Sequence, residues 1–102
     1  MINIDMEFFN QIRDMMMTFP SVVERQNDFG TKYAYFIRNK EFAHFHSTEQ
    51  LDIRVSKNEI EEIAQDAIQN PFLENWILFN IKSEADAKKA VLLLKKAYDK
   101  AA

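Results

Sequence analysis

The run Glu41-Phe42-Ala43-His44-Phe45-His46 holds both histidines of the chain, one residue apart. On a β-strand, alternate residues share a face, so this spacing points both imidazoles the same way. Two chemistries follow. In the first, His44 or His46 shuttles protons with a pKa near the ordinary value of about 6.5. In the second, the two imidazoles and Asp52 from a neighbouring strand form a set of two histidines and one carboxylate. Such a set holds a divalent metal and leaves positions open for water or oxygen. Glu41 falls on the opposite face of this strand and is not counted as a ligand.

Other catalytic arrangements have little to stand on. Ser47 follows His46, but no Gly-x-Ser-x-Gly elbow surrounds it, so it reads as a turn residue. A single glycine leaves no phosphate-cradling loop, and the absence of cysteine removes thiolate nucleophiles, disulfides and sulfur-ligated metals.

The elements that must position the histidines show in periodicity and caps. Ile4, Phe8, Ile12, Met15, Met16 and Phe19 form one helical stripe that Pro20 stops. Ser56 with Glu59 is a capping box, and Ile60, Ile63, Ala64, Ala67 and Ile68 line a second helix that Asn70-Pro71 ends. Ser83 with Asp86 opens a third, with Ala87, Ala90, Val91, Leu94, Ala97 and Tyr98 on its apolar face. Between the first two helices, β-rich segments near 22–27, 32–38, 41–46 and 51–55 read as a meander, with turns at Asp28-Phe29-Gly30-Thr31 and Asn39-Lys40. A fifth strand is expected over Asn75 to Ile81. The order α-β-β-β-β-α-β-α predicts an α+β two-layer sandwich with helices on one face of a mainly antiparallel sheet.

A turn at Asn39-Lys40 pairs Arg38 with Glu41, Phe36 with Ala43 and Tyr35 with His44. One face then carries Ala34, Phe36, Ala43 and Phe45 and belongs under the helices, since none of these has a polar side-chain atom to satisfy. The other carries Tyr33, Tyr35, Ile37, Phe42, His44 and His46. Leu51, Ile53 and Val55 join the covered face if the connection after His46 has an odd number of residues or a bulge, which sets Asp52 and Arg54 beside the histidines. By the same parity Ile77, Phe79 and Ile81 face the helices, while Trp76, Leu78 and Asn80 do not. The expected open surface is therefore Tyr33, Tyr35, His44, His46, Asp52, Arg54 and Trp76. Apolar bodies with polar tips suit ligand binding, and equally the half-solvated side of an antiparallel sheet.

The chain's 102 residues suffice for one domain with a real core. No basic leader or apolar run of about 18 residues is present, and the lack of cysteine suits a reducing compartment, so the expected location is cytoplasmic, with no membrane partner. The net charge of −3 is unevenly spread: residues 82–102 carry six lysines against three acids, leaving −6 on the rest. An acidic body argues against nucleic acid as a partner. Lys88, Lys89, Lys95, Lys96 and Lys100 form a solvated arc around Leu92, and Leu92, Met6 and Met17 lie where a homo-oligomer contact would form.

Glu41-Phe42-Ala43-His44-Phe45-His46, Leu51-Asp52-Ile53, Trp76-Ile77-Leu78-Phe79, Ser83-Glu84-Ala85-Asp86 and the leucine-rich last helix ending at Tyr98 resemble the pattern of the small family labelled "luciferase domain". The likeness spans most of residues 20 to 100, with Ala43 where that pattern has glycine. It implies a single luciferase-domain-like α+β domain over 1–102 with His44, His46, Asp52 and Trp76 at motif positions, and it implies no light-emitting activity. The element order is also similar to MmcQ/YjbR-like and frataxin-like sandwiches, an analogy of fold only.

Three functions are consistent with these residues. A binding or sensing module would use the open face for a small-molecule ligand or divalent metal. An enzyme would use His44 or His46 as a proton shuttle or metal ligand. An interaction module would stack nucleic-acid bases or a protein partner on Tyr33, Tyr35 and Trp76.

Overall fold

The structure, a computed structural model, describes residues 4–60, 65 and 67–102, without the side chains of 4–6. The protein is an α+β fold, with helix α1 over Ile4–Met16 and helix α2 over Glu84–Ala101. The strands are β1 Val23–Arg25, β2 Ala34–Ile37, β3 Lys40–Ser47, β4 Gln50–Ile53, β5 Ile68–Gln69 and β6 Ile77–Asn80. They form one antiparallel sheet in the order β1-β2-β3-β4-β6-β5. Among the described residues, no helix is long and apolar enough to cross a membrane.

Both helices lie on one face of the sheet. Phe9, Ile12 and Met16 of α1 and Leu93, Leu94, Ala97 and Tyr98 of α2 close over Tyr35, Phe42, Phe45, Leu51, Ile53, Ile77 and Phe79. Ser83 caps α2 by accepting a hydrogen bond from Asp86 N, and the Asp86 carboxylate accepts one from Lys82 N, as the Ser-x-x-Asp spacing led us to expect. Helix α1 ends at Met16, three residues earlier than its stripe suggested. Proline disfavours helical geometry at Phe19, so the chain tightens into Thr18 N→Met15 O and Phe19 N→Met16 O bonds, and Thr18 Oγ1 donates to the Met15 carbonyl.

The expected second helix is not formed in the part described. Ser56 makes no side-chain cap, Lys57–Glu59 is a single 3-10 turn, and Ile68–Gln69 is extended and pairs with β6. Glu59 pairs with Lys100 instead of completing a capping box. Ile63 and Ala64 of the proposed stripe lie outside the described residues, as do the side chains of Ile4 and Met6. Asn70-Pro71 is no helix stop but opens a loop, in which Asn70 Oδ1 accepts from Phe72 N and Leu73 N at 2.8 and 2.9 Å. Leu92 and Met17 are exposed, at 57% and 44%.

On the helical side of β1 and β2, a charged group is fixed at the edge of the core. Arg13 grips Glu24 with two bonds, Nε to Oε2 at 2.6 Å and a terminal nitrogen to Oε1 at 2.7 Å, and Tyr35 OH donates to Oε2 at 2.7 Å. The Arg13 bonds come first among the causes that hold the Glu24 carboxyl below its ordinary pKa, with burial opposing and Tyr35 assisting. Burial, reinforced by Glu24, holds the Tyr35 hydroxyl well above its ordinary pKa. Glu24→Gln leaves Arg13 and Tyr35 without a carboxylate. It should lower stability by about 1–2 kcal/mol in urea unfolding at pH 7, allowing for a half-exposed Arg13. Because the folded pKa is depressed, the wild-type advantage should be present above the unfolded value and shrink as pH falls below about 4.5. Equal unfolding midpoints at pH 7 would remove the proposed contribution.

Candidate functional site

The hairpin between β2 and β3 decides which side chains share a face. Its turn residues are Arg38 and Asn39, with φ of 53° and 65°, one residue earlier than Asn39-Lys40. That suits a tight hairpin whose two central residues both take positive φ. The turn shift alone would keep Tyr35 and His44 on one face. A bulge at Phe42 does not: Phe36 pairs with Glu41, but Tyr35 pairs with Ala43 and Ala34 with His44. Phe42 and Ala43, consecutive in sequence, are both fully buried in the core.

This corrects seven assignments. Tyr35 lies under the helices at 0% exposure, and Tyr33 packs on the same side, its ring 5.0 Å from that of Phe9 at 76°. Ile37 and Phe42 also join the core, while Ala34, Phe36 and Glu41 move to the uncovered face. His44, Asp52 and Trp76 lie on the uncovered face as expected. The parity expected after His46 also holds, because a bulge at that residue leaves His44 opposite Asp52 and Phe45 opposite Leu51. Ile77, Phe79 and Ile81 are buried.

The uncovered face is organised around His44. Its Nε2 meets Asp52 Oδ2 at 2.6 Å, and its Nδ1 lies 3.2 Å from Glu41 Oε2, within ion-pair reach but out of hydrogen-bond alignment. Asn70 Nδ2 donates to Asp52 Oδ1 at 3.1 Å, and Asn27 Nδ2 donates to Glu41 Oε2 at 2.8 Å. His46 Nδ1 sits 3.7 Å from Asp52 Oδ2 with most of its ring in solvent. The Trp76 ring lies 5.4 Å from that of His44, inclined 38°, close enough for its π face to favour a cation. The chain Asn27–Glu41–His44–Asp52–Asn70 thus ties β3 and β4 to the loops at residues 27 and 70.

Burial by itself would lower the His44 pKa, but the hydrogen bond to Asp52 and the nearby Glu41 carboxylate outweigh it and raise it to about 9. The ring is therefore an imidazolium at neutral pH, with both nitrogens facing carboxylates. Among the described residues, no group of three or more His, Asp or Glu side chains is arranged to hold a metal ion.

Arg54 is exposed, reaches the Glu41 carbonyl by a long 3.4 Å contact, and lines a cleft that none of the histidines lines. Sequence reasoning missed Glu41 as a partner of His44, and Asn27 and Asn70 as the amides that hold Glu41 and Asp52. Beside them lies a cavity of about 220 Å³ lined by Arg25, Asn27, Asp28, Phe29, Phe36, Asn39 and Glu41. The Arg25 guanidinium stacks 3.7 Å above the Phe36 ring at this cavity. No family model, curated protein or solved structure matches the chain.

The raised His44 pKa makes a signed prediction. Its contribution to stability is fully present below the unfolded value of about 6.5 and is lost as pH rises through about 9. Between pH 7 and 10 the wild type should lose on the order of 2 to 3 kcal/mol more than His44→Gln, which carries no titrating ring. Parallel pH profiles of urea unfolding for the two proteins would refute a buried imidazolium.

Proposed function

We propose that the protein is a binding or sensing module that takes a small polar ligand on the sheet face its helices leave uncovered. The observation that carries this reading is the buried imidazolium of His44 between Glu41 and Asp52, beside a cavity that shares Glu41 with it. A cation with two carboxylates is an expensive thing to bury for packing alone. The cavity supplies the ring of Phe29, the amide of Asn39 and the acids Asp28 and Glu41, while Arg25 stacks on the Phe36 ring and the Asn27 amide is bonded to Glu41, Phe29 N and Thr31 N. Those groups suit a ligand with one planar ring and one amino group, the ring on phenylalanine and the amine at Glu41.

Such an amine would compete with His44 for the Glu41 carboxylate, so occupancy and the charge on the imidazole would be coupled. The resemblance to the luciferase-domain pattern supports the same residues, since His44, Asp52 and Trp76 are motif positions that lie together here. It contributes no activity. Tyr33 and Tyr35 have no part in this reading, because both pack on the helical side.

Titrating an aromatic amine such as phenethylamine should move the backbone amides of Phe36 and Glu41 and the ring resonances of His44 in NMR spectra. Glu41→Gln should weaken that binding at least tenfold, in line with the roughly 1.5–3 kcal/mol of a charge-assisted hydrogen bond. Shifts that persist unchanged in Glu41→Gln, or a cavity that responds to no amine at millimolar concentration, would end the proposal.

A further inference from the structure

A second cleft, of about 250 Å³, is lined by Lys40, Arg54, Asn75, Ala97, Lys100 and Ala101. Three of these six residues are cationic and none is acidic. They come from three places in the chain: Lys40 opens β3, Arg54 follows β4, and Lys100 belongs to the last turn of α2. The cluster is therefore not the solvated arc of one helix; Lys88, Lys89, Lys95 and Lys96 of that arc do not line the cleft.

Lys100 has a carboxylate already, from Glu59. Among the described residues, Lys40 and Arg54 have none. What the recess brings together is two cations without an ion-pair partner among the described residues, Lys40 and Arg54, beside a third. The C-terminus of α2 adds partial negative charge beside the cleft.

We infer that this cleft binds the phosphate group of a small molecule. A phosphate carries nearly two negative charges at neutral pH, matching the two unpaired cations, whereas a monocarboxylate matches one. The planar fork of Arg54 suits two phosphate oxygens, and Lys40 adds a point charge. Ala97 and Ala101 carry short side chains, so they leave the recess unfilled. Its volume lies below the roughly 300–1,000 Å³ of sites for drug-sized ligands, which limits the ligand to a phosphate with a short polar fragment. Asn75 offers an amide to that fragment. This site shares no lining residue with the cavity at Phe36 and does not rest on the function proposed for it.

Inorganic phosphate, glycerol 3-phosphate and acetate, each titrated at ionic strength matched with sodium chloride, separate the alternatives by NMR. The phosphates should move the amides of Lys40, Arg54, Asn75 and Ala101, with acetate binding at least tenfold more weakly. Tighter binding of glycerol 3-phosphate would identify a phosphomonoester as the source, and tighter binding of inorganic phosphate would identify the free ion. Arg54→Gln should lower phosphate affinity at least tenfold, with Lys88→Gln unchanged. If circular dichroism shows Arg54→Gln unfolded, Lys40→Gln takes its place with the same expected loss. Shifts spread over all the lysines of α2, acetate binding as well as phosphate, or unchanged affinity in the folded cleft variant would overturn the inference.

Discussion

One extra residue in β3 governs the distribution of side chains in this protein. At Phe42 the strand bulges, so Phe42 and Ala43 both enter the core and everything beyond them changes sides relative to β2. A bulge gives up regular ladder pairing locally, and burying a phenylalanine recovers roughly 2 kcal/mol. The row Ala34–His44–Asp52–Leu78 then lies on the uncovered face, while Tyr35–Ala43–Ile53–Ile77 lies beneath the helices. Without it, Tyr35 and His44 would share a face.

The two charged clusters on opposite sides of the sheet follow a common logic with the signs exchanged. On the uncovered side a cation, His44, sits between the carboxylates of Glu41 and Asp52. On the helical side an anion, Glu24, sits between the guanidinium of Arg13 and the hydroxyl of Tyr35. Each is buried enough that an unmatched charge would be costly, and each spans elements distant in sequence, so a slipped register would strand a charge as well as misplace apolar groups. Ionic pairing and the apolar pattern thus specify the same alignment.

How far this was legible in the sequence depended on whether local rules had a competitor. Helix α2 was readable because its Ser-x-x-Asp cap and apolar stripe agree with its packing, and β4 and β6 because their alternation matches the covered face. The parity of Asp52 with His44 was recoverable because the alternative buries both histidines along with Leu51 and Ile53. Phe42 left no such trace: a bulge follows from how well a ring fits the core, which spacing does not encode. The Ser56–Glu59 box misled for a related reason. Its glutamate is drawn to Lys100 and its cap is unused, while Ile68–Gln69 finds a free strand edge at β6. Tertiary partners outweighed a local helix signal in that segment. Asn70 shows the reverse case, a residue read as a terminator whose side chain orders a loop and supports Asp52.

The outermost strands of the sheet are its shortest, three residues in β1 and two in β5. An incoming chain seeking to extend the ladder would find few backbone donors and acceptors before the path bends away. Assembly by strand addition, whether into a dimer or a fibril, is thereby discouraged even though the six-stranded interior is rich in β-branched and aromatic residues. What the surface does expose is side-chain apolar area, most of all the rings of Phe29 and Phe72.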